Sequence, residues 1–326
     1  MLPVVIAQAA TQGGFEKFVN TLASGIALGA IYAILALGFV IIFKATQVVN
    51  FAHGAIAALG AYLVVYFAVV LNIPGRWLDF LSPTLQWVLS ATIAVLVAAL
   101  VGMVVERIAI RPMIGESLFA VAMITLGLDL IIRTFTNDFM DNQVRGLGDP
   151  WGAEVIEIGV LRISQTQVVT VVVTVLAMLL LAWFFRTRAG VAMRATAFDQ
   201  EAAMAQGINV GRVFAAAWAI GAALAAIGGI FSSMFPRAAG VSPFTALIAF
   251  RAFPAVVIGG LDSIPGAIVG GMIIGLAEVF AAAYLVGDLW SFLGIGFAGI
   301  VPWLLMMVVL LIKPYGIFGT EEIRRV

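Results

Sequence analysis

A polytopic, all-α transmembrane helical bundle is the fold class this sequence predicts, and three observations carry that prediction. The chain has 326 residues, 63% hydrophobic and only 10% charged, and its mean hydropathy is +1.15. A soluble domain of that length lacks the interior to hide so much apolar surface, so lipid must solvate most of it. The apolar residues also come in runs close to the roughly 20 residues that one helical crossing needs. Finally, the 34 glycines suit a membrane bundle, where small residues let helix backbones approach.

Taken in order, eight segments qualify or nearly qualify as spans: about 18–43, 48–71, 86–106, 118–134, 167–185, 213–235, 254–284 and 297–312. Lysine and arginine set their orientation. Lys44 follows the first span, Arg107 and Arg111 the third, Arg186–Arg212 the fifth, and Lys313, Arg324 and Arg325 the eighth. All four places come out cytoplasmic if the N-terminus is outside and the C-terminus inside. The loop 135–166 is then external; it mixes Asp138, Asp141, Arg145, Asp149, Glu154, Glu157 and Arg162 without a positive excess. The first twelve residues lack a basic region and a long enough apolar run, so they read as a tail rather than a leader. Residues 1–326 read as one transmembrane unit.

Counting crossings leaves one return unaccounted for between 236 and 254. Val241–Phe253 is too short to cross, and Pro243 and Pro254 bracket it. A half-membrane or steeply tilted helix is expected there, of a kind that survives only where protein or a water-filled cavity shields its backbone. Spans one and two, with the break at Asn50–Gly54, loosely echo span six and the 241–275 region. An inverted repeat is the favoured reading, with a pathway at the interface of its halves.

Composition excludes several function classes. Zero net charge gives a nucleic-acid partner no electrostatic support. The absence of cysteine removes disulfides, thiolate catalysis and cysteine-based metal sites. A single histidine and no catalytically spaced carboxylate pair leave neither a metal site nor an enzyme to propose.

Three motifs carry the functional expectations. The polar island Thr187–Arg212 lies between long apolar runs, forming a cytoplasmic loop over 186–212. Within it Asp199, Glu201, Ala202, Ala203 and Gly207 fit a short surface helix that docks a soluble partner; Glu201 is its charged handle, and Gly207 ends it in the left-handed conformation. Asn50-Phe51-Ala52-His53-Gly54 opens span two. Asn50 is the expected helix cap, and Asn50, Phe51, His53 and Gly54, with Arg251, are the candidate pathway residues, since intramembrane polar groups are functional suspects. A helix N-terminus there would also favour a carboxylate. The weightier reading of the motif is structural, with Asn50 capping, His53 bonding a neighbour and Gly54 allowing close packing. Third, Gly259, Gly260, Asp262, Pro265 and Gly266 interrupt span seven, either as a hinge or as a tight turn with Asp262 capping the helix that follows. Among the remaining charges, Asp129 and Arg133 are spaced to pair on one helix face. Glu278 has no partner close in sequence and is expected near the outer interface.

At NFAHG (50–54), EAAMAQGIN (201–209), RAFPAVVIGG (251–260), DSIPGAIVGG (262–271) and KPYGIFG (313–319), the chain resembles the permeases of high-affinity branched-chain amino acid ABC importers. It looks most like the first of the two paired permeases. GIALGAIYAILALGFVIIF (25–43) and ERIAIRPM (106–113) fit as well, so the resemblance runs from about 18 to 320. It implies a non-catalytic, multi-pass subunit of the bacterial plasma membrane that pairs with a second, similar permease. Two cytoplasmic ATPases would hold ATP and Mg, and this chain no cofactor of its own. An extracytoplasmic binding protein would deliver leucine, isoleucine or valine. The segment from Glu201 to Gly207 matches the start of the loop that contacts the ATPase. The departure is at Gly211-Arg212-Val213, which leads straight into span six where the wider importer pattern continues to an Ile-x-Leu-Pro element. Urea, short amides or other amino acids are alternative substrates, because similar permeases are thought to move them. A stand-alone ion-driven carrier using Asp129 or Glu278 is the reading from a different class.

Overall fold

The computed structural model describes residues 13–113, 115–140, 143–151, 154–235, 240–285, 294 and 296–320. The tail 1–12, Asp141, Arg237, Arg324 and Arg325 lie outside these residues.

Polar side chains before the apolar runs decide where most helices start. Ser82, Ser117, Ser164, Thr187, Asp199, Asn209 and Ser263 each accept a backbone N–H of the turn that follows. Each satisfies a donor that the helix leaves unpaired. In order, the helices are α1 (Gly14–Thr46), α2 (His53–Val64, continued by a wider π turn Val65–Val70) and α3 (Pro83–Val105, extended through Glu106–Ile110 and Arg111–Met113). Then come α4 (Leu118–Phe139), α5 (Gln165–Phe184), α6 (Arg188–Phe198), α7 (Gln200–Ala205) and α8 (Val210–Met234). The last three are α9 (Ile248–Gly259, entered through a 3-10 turn at Thr245–Leu247), α10 (Ile264–Tyr284) and α11 (Val301–Ile312).

Among the described residues, seven of these helices are long and apolar enough to cross a membrane: α1, α2, α3, α4, α5, α8 and α10. Two shorter apolar helices, Thr245–Gly259 and Phe297–Ile312, accompany them. The expected bundle is present, with one correction. The interruption expected in the seventh span, 254–284, is present: the chain divides at Gly260–Ser263 into the end of α9 and the whole of α10. The expected short helix exists, but it runs on to Gly259 with Pro254 inside it rather than just beyond it.

A second difference is a small antiparallel hairpin, β1 (Val155–Ile158) with β2 (Leu161–Ser164), in the expected external loop. Its edge is tied to α1 by Asn20, whose Nδ2 donates to Val160 O at 3.2 Å and whose Oδ1 accepts from Arg162 N at 2.8 Å.

The bundle therefore has two distinguishable ends. The hairpin end holds β1–β2 and the packed Trp87–Trp151 pair. The basic end holds Lys44, Arg111, Arg194 and the segment after α11. Between them α1 is the central rod, with residues from Leu28 to Ile42 almost wholly buried. α10 packs along it at backbone contact. A Cβ added at Gly275 would lie 2.2 Å from Gly29 N, and one at Gly271 would lie 2.4 Å from Ala33 N. Gly271 and Gly275 are four apart, the small-residue spacing that lets membrane helices approach closely. α8 lies against α1, α2 and α3, and its Trp218 and Phe214 are among the largest fully buried side chains.

Candidate functional site

Two regions hold the residues singled out by sequence, one at the centre of the bundle and one at its basic end.

At the centre, two broken elements meet. The chain leaves α1 at Thr46, turns at Gln47 in the left-handed conformation (φ 56°), and re-enters the bundle. α2 begins only at His53, whose ring nitrogen Nε2 lies 3.1 Å from the carbonyl of Leu35. Leu35 is about 16 Å along α1 from Thr46. The second element comes from the hairpin end and starts α9 at Thr245. Its first turn touches the first turn of α2: a Cβ at Gly54 would lie 2.1 Å from Ala246 O and 3.1 Å from Ala249 Cβ. Only glycine permits that approach. The two helix starts thus face each other inside the bundle, reached by chain segments that enter from opposite ends.

The structure corrects how α2 is capped. The residue flanking the helix is Ala52, with no side-chain cap. Asn50, predicted to cap, instead folds a turn: its Oδ1 accepts from Ala52 N at 3.0 Å, the short-range carboxamide geometry common before helices. Another element reaches the helix start, since the Asp129 carboxylate on α4 lies near the backbone N–H of Ala55. Asp129 is held in turn by Arg133 at 2.8 Å, the predicted pair. Asn50 and His53 are buried to 1% and 0% exposure. The His53 ring packs on Phe39 at 4.1 Å, and Phe39 meets Phe253 edge-on at 6.0 Å. Phe51 is partly buried. The expected hydrogen bond to a neighbour and the close packing at Gly54 are therefore present.

Farther along α9 lies a contact that sequence reasoning missed. Arg251 Nη1 is 3.4 Å from Glu278 Oε1 on α10, and the Tyr32 hydroxyl on α1 donates to Glu278 Oε2 at 2.5 Å. Tyr32 and Glu278 each stand about 21 Å from the basic end of their own helices, in the half of a hydrocarbon layer about 30 Å thick that lies toward the hairpin end. Glu278 was expected near the outer interface, and it lies six residues, about 9 Å, from the hairpin-end terminus of α10; what the expectation lacked is its place between two helices, against Tyr32 and Arg251. The side chain of Glu278 is 12% exposed and that of Arg251 43%. The signal that could have revealed the triad is Tyr32 itself, a polar-tipped residue inside an otherwise apolar span.

At the basic end, the interruption after α9 forms a tight turn. Gly260 has φ +102°, a conformation with little cost only for glycine. Gly259 and Gly266 are in backbone contact: a Cβ at either would lie about 2.1–2.2 Å from the other's carbonyl oxygen. Asp262 is not the cap of α10. Ser263 is, with Oγ accepting from Gly266 N at 3.1 Å, and Pro265 lies in the first turn. The Asp262 carboxylate instead accepts from Thr320 Oγ1 and from Thr320 N. The closing segment lies against the turn, with Ile317 N donating to Ile258 O at 2.7 Å and Phe318 N to Gly259 O at 3.1 Å. The open carbonyls ending α9 are thereby satisfied.

The polar island forms two helices rather than one. α6 was not anticipated. α7 is the expected short helix, capped by Asp199, whose Oδ1 accepts from Ala202 N at 2.9 Å. Glu201 and Ala202 are exposed, Ala203 is buried, and Gly207 follows at φ +79°. Ile208 and Val210 pack the return into α8. Between α6 and α7, Phe198 is 94% exposed, beside a cavity of about 650 Å³ lined by Phe43, Lys44, Arg194, Asp262 and Tyr315. Arg111 ties this end together. It forms a two-pronged pair with the wholly buried Glu106 (3.0 and 2.9 Å) and donates to Gly211 O at 2.8 Å, where α8 begins. Sequence reasoning missed that clamp, because its partners are five residues apart across a wide turn and a hundred residues apart across the bundle.

Residues 21–311 match the family model described as branched-chain amino acid transport system / permease component. The chain is 32% identical to the high-affinity branched-chain amino acid transport system permease protein LivH of Salmonella typhimurium, over 96% of this chain and 99% of that one. LivH of Escherichia coli K12 gives the same identity and coverage. The permease BraD of Pseudomonas aeruginosa is 31% identical over 95% and 98%. Among solved structures, PsaBC from Streptococcus pneumoniae in complex with Fab aligns over 97% of both chains with a TM-score of 0.46 and 15% identity.

Proposed function

We infer the chain's function from one premise: it belongs to the permease family of branched-chain amino acid transport systems. It is a multi-pass membrane protein and a transport permease. Within that class we propose the pore-forming, non-catalytic subunit of an ATP-binding-cassette importer in a bacterial plasma membrane. Leucine, isoleucine or valine would reach it from an extracytoplasmic binding protein. A second, similar permease would complete the conduit, and two cytoplasmic ATPases would bind ATP and Mg below it. The hairpin end and the N-terminus then face outward and the basic end inward, in keeping with the positive residues gathered there.

The observation that carries the ATPase reading is the surface rod α6–α7. It presents Phe198, Met204 and Glu201 to solvent and is joined to the bundle through the Arg111 clamp and the start of α8. Nucleotide-driven movement of a docked ATPase would reach the membrane helices there. Asp199, Glu201, Ala202, Ala203 and Gly207 are assigned to that coupling element. The turn Gly259–Gly266, with Asp262 and Pro265, is assigned as the hinge between α9 and α10. Asn50, Phe51, His53 and Gly54 are assigned to the wall of the pathway, and Arg251 to its lining. Coupling then consists of two packed arrangements whose balance the nucleotide state shifts through differential contacts.

Uptake of labelled leucine into proteoliposomes holding the full complex tests the proposal. Uptake is expected with internal ATP and absent with an imposed proton or sodium gradient alone. Gradient-driven uptake without ATP would establish an ion-coupled carrier instead. Gly207→Pro combined with Glu201→Ala is expected to abolish transport and transport-stimulated ATP hydrolysis, while leucine binding to the isolated binding protein is unchanged. Normal transport by that double variant would refute the coupling assignment.

A further inference from the structure

The Arg251–Glu278 pair has the charge pattern of an amino acid in reverse. A free α-amino acid at neutral pH carries one carboxylate and one ammonium on the same carbon. Here one guanidinium and one carboxylate lie 3.4 Å apart at membrane depth. Their settings are unequal. Glu278 is fixed by the Tyr32 hydroxyl at 2.5 Å and is nearly buried. Arg251 projects from the broken-element helix α9 with 43% of its side chain exposed. A half-open cation at this depth is costly against lipid, so it faces a water-filled path or protein. Arg251 is also held at a distance near the upper limit for a hydrogen bond, which leaves other N–H donors of its planar fork available for a second carboxylate.

The surface around it is apolar. Phe244, Leu247 and Phe250, on the same stretch of chain, are each 40% exposed or more. They lead toward the hairpin end, where Phe244, Thr245 and Ile248 line a cavity of about 160 Å³ with Ser232 and Ser233. Cation and anion thus meet beside a run of exposed apolar side chains that extends to this cavity.

We propose that Arg251 and Glu278 form a transit site for zwitterionic α-amino acids. Arg251 takes the α-carboxylate, Glu278 takes the α-ammonium, and Leu247 and Phe250 take an aliphatic side chain. The inference rests on the permease reading above and adds the substrate's recognition chemistry to it. With no substrate present the two side chains neutralise each other, which holds down the cost of keeping charges at this depth. An entering amino acid exchanges that one weak contact for two charge-assisted ones. Tyr32 is a positioning residue that keeps Glu278 from turning to follow its substrate.

Because the chain has no cysteine, single-cysteine labelling in the assembled transporter gives a clean first test. Arg251→Cys and Leu247→Cys are expected to react with a charged, water-borne methanethiosulfonate at least about tenfold faster than Leu179→Cys, a residue 61% exposed on α5. Reaction no faster than that control, or protection in the assembled pair with reaction only in the lone chain, would overturn the proposal. The second test is leucine uptake. Arg251→Met and Glu278→Gln are expected to lower the rate by about tenfold to a hundredfold, the range for losing a hydrogen bond to a charged group. Arg251→Lys should recover part of it, because the charge remains while the fork is lost. The exchanged pair Arg251→Glu with Glu278→Arg separates recognition from packing. It is expected to restore assembly and melting temperature but not uptake, since Tyr32 then faces the wrong group. Full recovery of uptake by the exchange would mean the pair is only a structural clip. Failure of ATP dependence in the unsubstituted complex would remove the importer reading alone, and the labelling result would still decide whether Arg251 faces water.

Discussion

The centre of the bundle and its basic end are both built from interrupted helices, yet they solve the interruption in opposite ways. At the centre, the start of α2 has no side-chain cap of its own. The Asn50 turn leads into it, Asp129 from another helix lies beside it, and Gly54 brings it to the backbone of the turn that enters α9. At the basic end, α6, α7 and α8 each carry their own cap, from Thr187, Asp199 and Asn209, and Phe198 stands open to solvent. The first region is specified by what surrounds it, the second by its own sequence. The difference follows from solvent. Inside the bundle every polar backbone group needs a protein partner, whereas at the surface water completes whatever a local cap leaves open.

Substitutions can break this contrast, and the largest effect belongs at the centre. Gly54→Val would drive a side chain into the Ala246 carbonyl, 2.1 Å from the position of the new Cβ. That oxygen is backbone and cannot swing aside, so the cost exceeds the ordinary 1–3 kcal/mol or so of an overpacked core. At least about a tenfold loss of monodisperse protein in size-exclusion chromatography is expected. A normal yield would show that the two helix starts are not in contact.

Next comes the clamp that links the regions. Glu106→Ala removes a buried carboxylate from Arg111 and leaves that side chain, among the described residues, its hydrogen bond to Gly211 O. Because the guanidinium is partly exposed and regains water, a loss of about 2 kcal/mol is expected rather than the full penalty of an orphaned buried charge. A denaturant titration followed by tryptophan fluorescence measures it, and Glu106→Gln should recover part of the loss.

Smaller again is Gly207→Ala. There is open space around this glycine, so the cost is conformational alone, about 1 kcal/mol for placing an L-residue at φ +79°. Hydrogen exchange across 200–209 should rise locally while global melting barely moves. A large drop in melting temperature would mean that α7 is integral to the bundle rather than laid upon it.

Smallest in stability is Phe198→Ser, expected to stay within about 0.5 kcal/mol because the ring has almost no neighbours to lose. The same variant sharpens the comparison on the functional side, since ATP-driven uptake is expected to fall severalfold if the ring seats in an ATPase. Unchanged uptake would restrict docking to α7.

Much of this was legible in the sequence. The apolar runs marked the spans, and the missing return between 236 and 254 required a short helix that the structure supplies as Thr245–Gly259. The spacing of Asp129 and Arg133 predicted their pairing, and Gly207 announced its left-handed turn. Other features had no local signature. Ser263 rather than Asp262 caps α10, and Thr320 takes the Asp262 carboxylate from 58 residues away. Glu278 looked solitary because its partners, Tyr32 and Arg251, lie on two other helices.

By itself, then, the sequence determined that this chain is a membrane bundle, roughly where its apolar helices run, and which end carries the positive charge, since these depend on local hydrophobicity and net charge along the chain. Only the tertiary structure decided which polar groups share a site. Inside the bundle a donor or a charge must find its partner wherever another helix brings one, and such pairings leave no trace in the neighbouring residues of either chain segment.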